Sequence, residues 1–503
     1  MLLQTQSSAK RAEFPKGFDI EEARLKKQEY EVKLRTDLRQ NILQRKRTST
    51  ETFLRPCHLP SELQPFANTS ANSSLHPEQR LENLIEHLLT DSHKEFSALV
   101  TLRKVLSCEK AVHFSASCMA LMPKLSKKLV SLMRSSNKKV QLEAAWCVTN
   151  LACTSAEINR KLVHDGVISG LAALISSSPE VADMAVSGLG NIVGDCVIIR
   201  NQIVESGVVE VIIRSIADSA LMDLVHLSNR IHFLSVMVSL QPLPPPCIVW
   251  SVLDLFNKLF ATKHDSVRLE VITILADIAK VDEYRERASE CIGYAVECLN
   301  SKNPDIQARA LIALCIISDK RPEKVMEHAD LLLKIDRILE RTVPITLKSA
   351  LKALCNLLAC SKSAIKILSS HRIKLILGCL KHSDSTVVSE ALCCLFNICC
   401  LDSSEPLMAA IAEGLLNLLS SLLTNKDPNL LRDTLAALDN VFDRLSETCE
   451  YEEALDLFES CSGLHNLQLL QLHPNLFIYD MSLKILTQHF EVEEMPLEAF
   501  VFS

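Results

Sequence analysis

Glycine is scarce in this chain, 11 of 503 residues, aromatic residues make up 5%, and there are two tryptophans. So little glycine disfavours β-sandwiches and dinucleotide-binding folds, whose turns depend on it, and favours packed helices. No P-loop, G-x-G-x-x-G, H-E-x-x-H or G-x-S-x-G string occurs, so no phosphate cradle, zinc-protease helix or nucleophile elbow is present and no catalysis is expected. No run of about 18 apolar residues is free of charge or proline, so no membrane span is expected. The most apolar region, residues 231–256, is broken by Pro244, Pro245 and Pro246. No secretory leader is read at the start, and the 19 cysteines are expected to be reduced thiols of the cytosol or nucleus. The doublets Cys393/Cys394 and Cys399/Cys400 contain no C-x-x-C pair. Cys393 and Cys400, seven apart on an apolar helix, are expected as core rather than metal ligands, and neither a metal nor another cofactor is predicted.

What is present is apolar and periodic. Hydrophobic residues are 48% of the chain. Residues 141–155 read QLEAAWCVTNLACTS and residues 181–195 read VADMAVSGLGNIVGD, so Trp146 and Asn150, and then Asn191 and Asp195, lie four apart and share a helical face. The same helix recurs as ADIAK, LCNLLAC, LFNICC and LDNVF. Taking the equivalent position each time gives Asn150, Asn191, Val236, Asp277, Cys315, Asn356, Asn397 and Asn440, at intervals of 41, 45, 41, 38, 41, 41 and 43. A repeat of that length predicts a helical solenoid, which escapes the size limit on a single core because each repeat packs only on its neighbours. One repeated amide on one helical face predicts a ladder along the solenoid's inner surface. Asp165-Gly166 and Ser206-Gly207 fall at matching places between helices, where glycine permits the sharp turn.

Charge is unevenly spread. Residues 1–50 carry 12 Lys or Arg against 7 Asp or Glu, a net of +5, which leaves −12 on the rest of a chain whose formal charge is −7. An acidic body with a basic arm points to basic peptide segments as ligands and away from nucleic acid. Residues 21–47, EEARLKKQEYEVKLRTDLRQNILQRKR, hold helix formers without Gly or Pro and close on the basic triplet Arg45, Lys46 and Arg47. Such a segment reads either as a solvated helix or as a basic helix that folds on an acidic partner. The organisation expected is a basic arm at residues 1–50, a linker at 51–77, a solenoid at 78–460, and a C-terminal repeat end with an acidic tail at 461–503.

On these residues the chain resembles the importin-α family of nuclear-import adaptors, which are armadillo-repeat proteins. The resemblance rests on the basic N-terminal helix with its RKR triplet, on RKVLSCEK, LEAAWCVTNLA and GLGNIVGD, and on the pattern Tyr479, Leu483, His489-Phe490, Val492-Glu493-Glu494. It implies an all-α fold, an armadillo right-handed superhelical solenoid, whose groove grips an extended basic localisation segment of a cargo protein. Asparagines would bind the ligand main chain, indoles would sandwich lysine side chains, and one acid would select a critical lysine. Carried over by position, the major site is Trp146, Asn150, Asn191, Gly194 and Asp195, with Gly194 allowing close approach of the backbone. The minor site is Asn356, Glu390 and Asn397. Arg24, Lys26, Lys27, Lys33, Arg35 and Arg39 would bind an importin-β-type carrier, and Arg45, Lys46 and Arg47 would fold back into the groove as an autoinhibitory segment. An export receptor would bind the C-terminal region, and the protein would shuttle between cytoplasm and nucleus.

The departures from that pattern are specific. Ser187 stands where a tryptophan is expected before Asn191, and His232 and Val236 replace the next Trp and Asn. If each lost indole removes roughly 0.5–2 kcal/mol, affinity for basic segments falls by about five- to a thousand-fold. Lys352 and Cys393 occupy the tryptophan positions of the minor site, and Lys352 would repel a basic ligand. The plainer roles stand beside these. Asn356, Asn397 and Asn440 would hold adjacent repeats by bonding neighbouring backbone, Trp146 would be core, and Asp195 would cap the next segment. Trp250, outside the ladder, is expected in the core. The alternative function is a divergent armadillo scaffold, cytosolic or membrane-associated, that has given up general cargo binding.

Overall fold

Asparagine and aspartate cap the starts of five of the long helices. In the computed structural model, which describes residues 77–90, 95–108, 116–218, 223–319, 321–360 and 364–490, every regular element is an α-helix. Nine long helices recur through it: α1 (Lys138–Leu151), α2 (Pro179–Val193), α3 (Leu224–Ser239), α4 (Asp265–Ala279), α5 (Pro304–Ser318), α6 (Pro344–Cys360), α7 (Ser385–Cys399), α8 (Pro428–Leu445) and α9 (Leu476–His489). Asn137, Asn303, Asp384, Asp427 and Asn475 precede five of them, and each side-chain oxygen accepts the backbone N–H two residues on. Such a cap satisfies an orphan donor and contributes about 1 kcal/mol. Pro304 and Pro428 follow their caps directly, where a missing N–H costs nothing.

Each long helix is the third of a repeat. The helices Ala156–His164 and Val167–Leu174 lead into α2, and Tyr451–Ser460 and Gly463–Leu470 lead into α9. Gly166, Gly207 and Gly414 make the turn between the first two helices with φ of 88°, 75° and 90°, a left-handed backbone that a side chain would strain. Successive long helices lie against one another along the whole series, α1 on α2 through α8 on α9. Their shared faces are the core: Val148, Leu189, Leu234, Leu275, Leu314, Leu354, Leu395 and Leu438 are all buried. The chain is therefore a helix-repeat solenoid of the armadillo type.

By contacts the chain divides into two compact units, Met1–Leu121 and Met122–Ser503. In the first, the helices Pro77–Thr90 and Glu95–Cys108 pack on each other. The second contains all nine long helices. Buried ion pairs tie its repeats together: Arg230 on α3 meets Asp183 on α2 at 2.9 Å, and Arg372 reaches both oxygens of Asp336 at 2.7 Å. Among the described residues no helix is long and apolar enough to cross a membrane. The apolar stretch at 231–256 is two helices, α3 and Pro246–Asp254.

Two expectations about burial are corrected. Trp250 is 39% exposed, its ring edge against Tyr284 with centroids 5.4 Å apart, because its helix turns that side outward. Cys393 and Cys400 are exposed while Cys394 and Cys399 are buried, since neighbours in a helix point about 100° apart and only one of each doublet can face the core.

Candidate inner-face binding site

The third helices bring the ladder residues to one face, each paired with the residue four earlier. The rungs are Trp146 with Asn150, Ser187 with Asn191, His232 with Val236, Thr273 with Asp277, Leu311 with Cys315, Lys352 with Asn356, Cys393 with Asn397, and Ala436 with Asn440. Asn150 is buried at 7% exposure, whereas Trp146, Asn191, Gly194 and Asp195 are half-buried.

The amides follow one geometry. Asn191 Nδ2 donates to Thr149 O at 3.1 Å and Cys153 Sγ at 3.0 Å. Asn356 Nδ2 donates to Cys315 O at 3.0 Å and its Sγ at 3.1 Å. Asn397 Nδ2 donates to Cys355 O at 2.8 Å and its Sγ at 3.0 Å. Each of these asparagines spends its N–H groups on a carbonyl and a thiol of the third helix one repeat back, bonding neighbouring repeats together. Asn440 instead donates to Ala436 O in its own helix at 2.5 Å.

Where valine replaces the amide, glycine makes room for it. A Cβ on Gly194 would lie 2.9 Å from Val236 Cγ1, so the absence of a side chain there serves the packing of α2 on α3. Asp195 follows α2, and its Oδ1 accepts from Asn159 Nδ2 at 3.2 Å. No side-chain cap is made at Cys196, which opens the next helix. His232, at a tryptophan position, meets Glu270 of α4 at 2.8 Å through Nδ1. In the second half of the ladder Lys352 is exposed and Glu390 half-buried.

A thiol cluster lines that half. Burial pushes Cys315 up to about 11 and Cys399 up to about 12. The hydrogen bond with Cys394 holds Cys355 below the ordinary thiol value and Cys394 above it. Thiols pushed that high are protonated and unreactive near neutral pH. Asn137, Asn303, Asp384, Asp427 and Asn475, and the sulfur partners of the amides, were not singled out by sequence reasoning. The Asn or Asp directly before these five helices was the available signal for the caps. The basic arm residues Arg24, Lys26, Lys27, Lys33, Arg35, Arg39, Arg45, Lys46 and Arg47 and the linker lie outside the described residues.

With this geometry in hand, known proteins fall into place. Residues 126–153, including the Trp146 and Asn150 rung, match the armadillo/beta-catenin-like repeat, and residues 452–499 match the atypical Arm repeat. The chain is 26% identical over 217 residues to the probable importin subunit alpha-A of Dictyostelium discoideum, covering 41% of this chain and 38% of that protein. It is 29% identical over 195 residues to importin subunit alpha-6 of Arabidopsis thaliana, covering 38% and 34%. A longer match, 22% identical over 423 residues, covers 80% of this chain and 77% of importin subunit alpha-1b of Oryza sativa subsp. japonica. Apart from that longer match, the aligned part spans about a third to a half of the relatives' own length. An engineered protein of known crystal structure superposes with a TM-score of 0.66 over 84% of this chain and 100% of its own, at 22% identity, which speaks for the fold alone. The chain is an armadillo-repeat solenoid distantly related to importin-α proteins, a fold of the non-catalytic adaptor kind.

Proposed function

We propose that the inner face binds an extended basic segment of a partner protein and that the chain works as a nuclear-import adaptor, coupling that cargo to an importin-β-type carrier. The observation that carries this reading is the start of the ladder, where α1, bearing Trp146 and Asn150, packs on α2, bearing Asn191, with Asp195 just past the end of α2. An indole face there receives the lysine stem and ammonium, and the Asp195 carboxylate receives the lysine that sets the register. Gly194, Asn356, Glu390 and Asn397 extend the same face. The arm residues Arg24 to Arg39 would engage the carrier, and Arg45, Lys46 and Arg47 would compete with cargo for the groove at roughly millimolar effective concentration. Cytoplasm and nucleus follow as the compartments, and an export receptor at the C-terminal region as the recycling partner.

A second reading is favoured by the minor half. There an exposed lysine, Lys352, stands at the tryptophan position, which suits a scaffold that has given up general cargo. The test is fluorescence anisotropy of a lysine-rich localisation peptide on the full chain, on Asp195→Lys, and on Arg45→Ala/Lys46→Ala/Arg47→Ala. Micromolar or tighter binding that is lost in the first variant and strengthened in the second supports the adaptor. No binding to any of the three rejects it in favour of the scaffold.

A further inference from the structure

We infer that Asp439, Asp443 and His489 form a binding site for one divalent cation, joining the last two ladder helices. Asp439 and Asp443 are one turn apart on α8, and His489 is the last residue of α9. One ligand atom from each lies within 4.8 Å of the others, and His489 Nε2 stands 3.6 Å from Asp443 Oδ1.

Two of these atoms are buried with nothing to bond. The His489 side chain is 2% exposed, and its Nε2 and Asp439 Oδ1 make no hydrogen bond among the described residues. Leaving such atoms unmade costs about 1–3 kcal/mol each, so a pair of them facing one small space calls for an occupant. The surroundings specify its charge. Two carboxylates face one ammonium, Lys484, whose Nζ sits 2.6 Å from Asp439 Oδ2 and leaves Oδ1 to the site. Asp443 and His489 also lie in the last turns of their helices, where the backbone is negative and draws cations. The supporting bonds are those of a ligand shell. Tyr451 Oη holds His489 Nδ1 at 2.8 Å, orienting the ring with Nε2 inward, and Gln488 Nε2 donates to Asp443 Oδ1 at 2.7 Å. Two carboxylate oxygens and one imidazole suit a first-row divalent ion of the Mn(II) kind, with water completing the shell on the exposed Asp443 side.

Bound there, an ion would tie α9, within the segment that matches the atypical Arm repeat, to the repeat before it. The experiment is titration of the chelator-stripped full chain with Mn2+ alone, read by the EPR signal of free Mn2+, a metal that the exposed thiols bind poorly. One saturable site is expected, at least tenfold weaker in Asp439→Asn and in Asp443→Asn, and about two- to fivefold tighter in Lys484→Gln, where the competing ammonium is gone. Asp443 is exposed, so its variant keeps the fold even if the buried Asp439 variant does not, and circular dichroism verifies each. Absence of saturable binding overturns the site. So does equal binding by wild type and Asp443→Asn, or failure of Lys484→Gln to tighten it.

Discussion

The two halves of the ladder share a scaffold and differ in what they offer. Around α1 and α2 the rungs carry an indole and a carboxylate beside the amides; around α6 and α7 they carry Lys352 and Cys393. Yet Asn191, Asn356 and Asn397 make the same bonds to the helix one repeat back. At these three positions the amide is thus a device for stacking repeats, and the side chains flanking it, four before at Trp146 or Lys352 and four after at Asp195, decide what a rung can bind.

The largest effect should fall in the second half. Arg372→Ala strands the buried Asp336 and should cost about 3–5 kcal/mol in urea unfolding, whereas Arg230→Ala leaves Asp183 to His226 and Asn229 and should cost about 1–3 kcal/mol. Equal costs would show that the remaining partners of Asp183 do not compensate. Next, Asn191→Ala and Asn397→Ala should each lose about 0.5–1.5 kcal/mol, the net worth of the hydrogen bonds each makes to the neighbouring repeat. If Asn397→Ala is neutral in stability, its amide is not a stacking device. The smallest effect is chemical. Cys315, with its pKa raised to about 11, should alkylate slowly at pH 7.5 and speed up about tenfold per pH unit towards 10, because only the thiolate reacts. Cys355, held below the ordinary thiol value by its bond with Cys394, should level off at lower pH in the same mass-spectrometric time course.

Much of this fold was legible in the sequence, because a solenoid writes its period into the chain. The 41-residue steps located the third helices, and Gly166 and Gly207 located turns that need a left-handed backbone. What escaped were contacts one repeat apart. That Asn397 bonds the carbonyl and sulfur of Cys355 depends on how neighbouring helices are rotated about their axes, which spacing does not state. The meeting of Asp439 and Asp443 with His489 was hidden for the same reason, and no C-x-x-C or H-E-x-x-H string announces it. Trp250 was misplaced because an apolar neighbourhood in sequence does not say which side of a short helix faces out. The candidate groove residues were readable as positions; the spending of their N–H groups between repeats was not.

At the Trp146 and Lys352 rungs the side chain four residues before the amide sets what the rung binds. Isothermal titration of a lysine-rich localisation peptide into the full chain with Arg45→Ala/Lys46→Ala/Arg47→Ala tests it most directly, comparing that background with added Trp146→Ala or Lys352→Trp. Trp146→Ala should weaken the peptide by about 0.5–2 kcal/mol, and Lys352→Trp should add a second site in the other half of the ladder. Unchanged affinity in the first variant together with an unchanged stoichiometry in the second would contradict the claim.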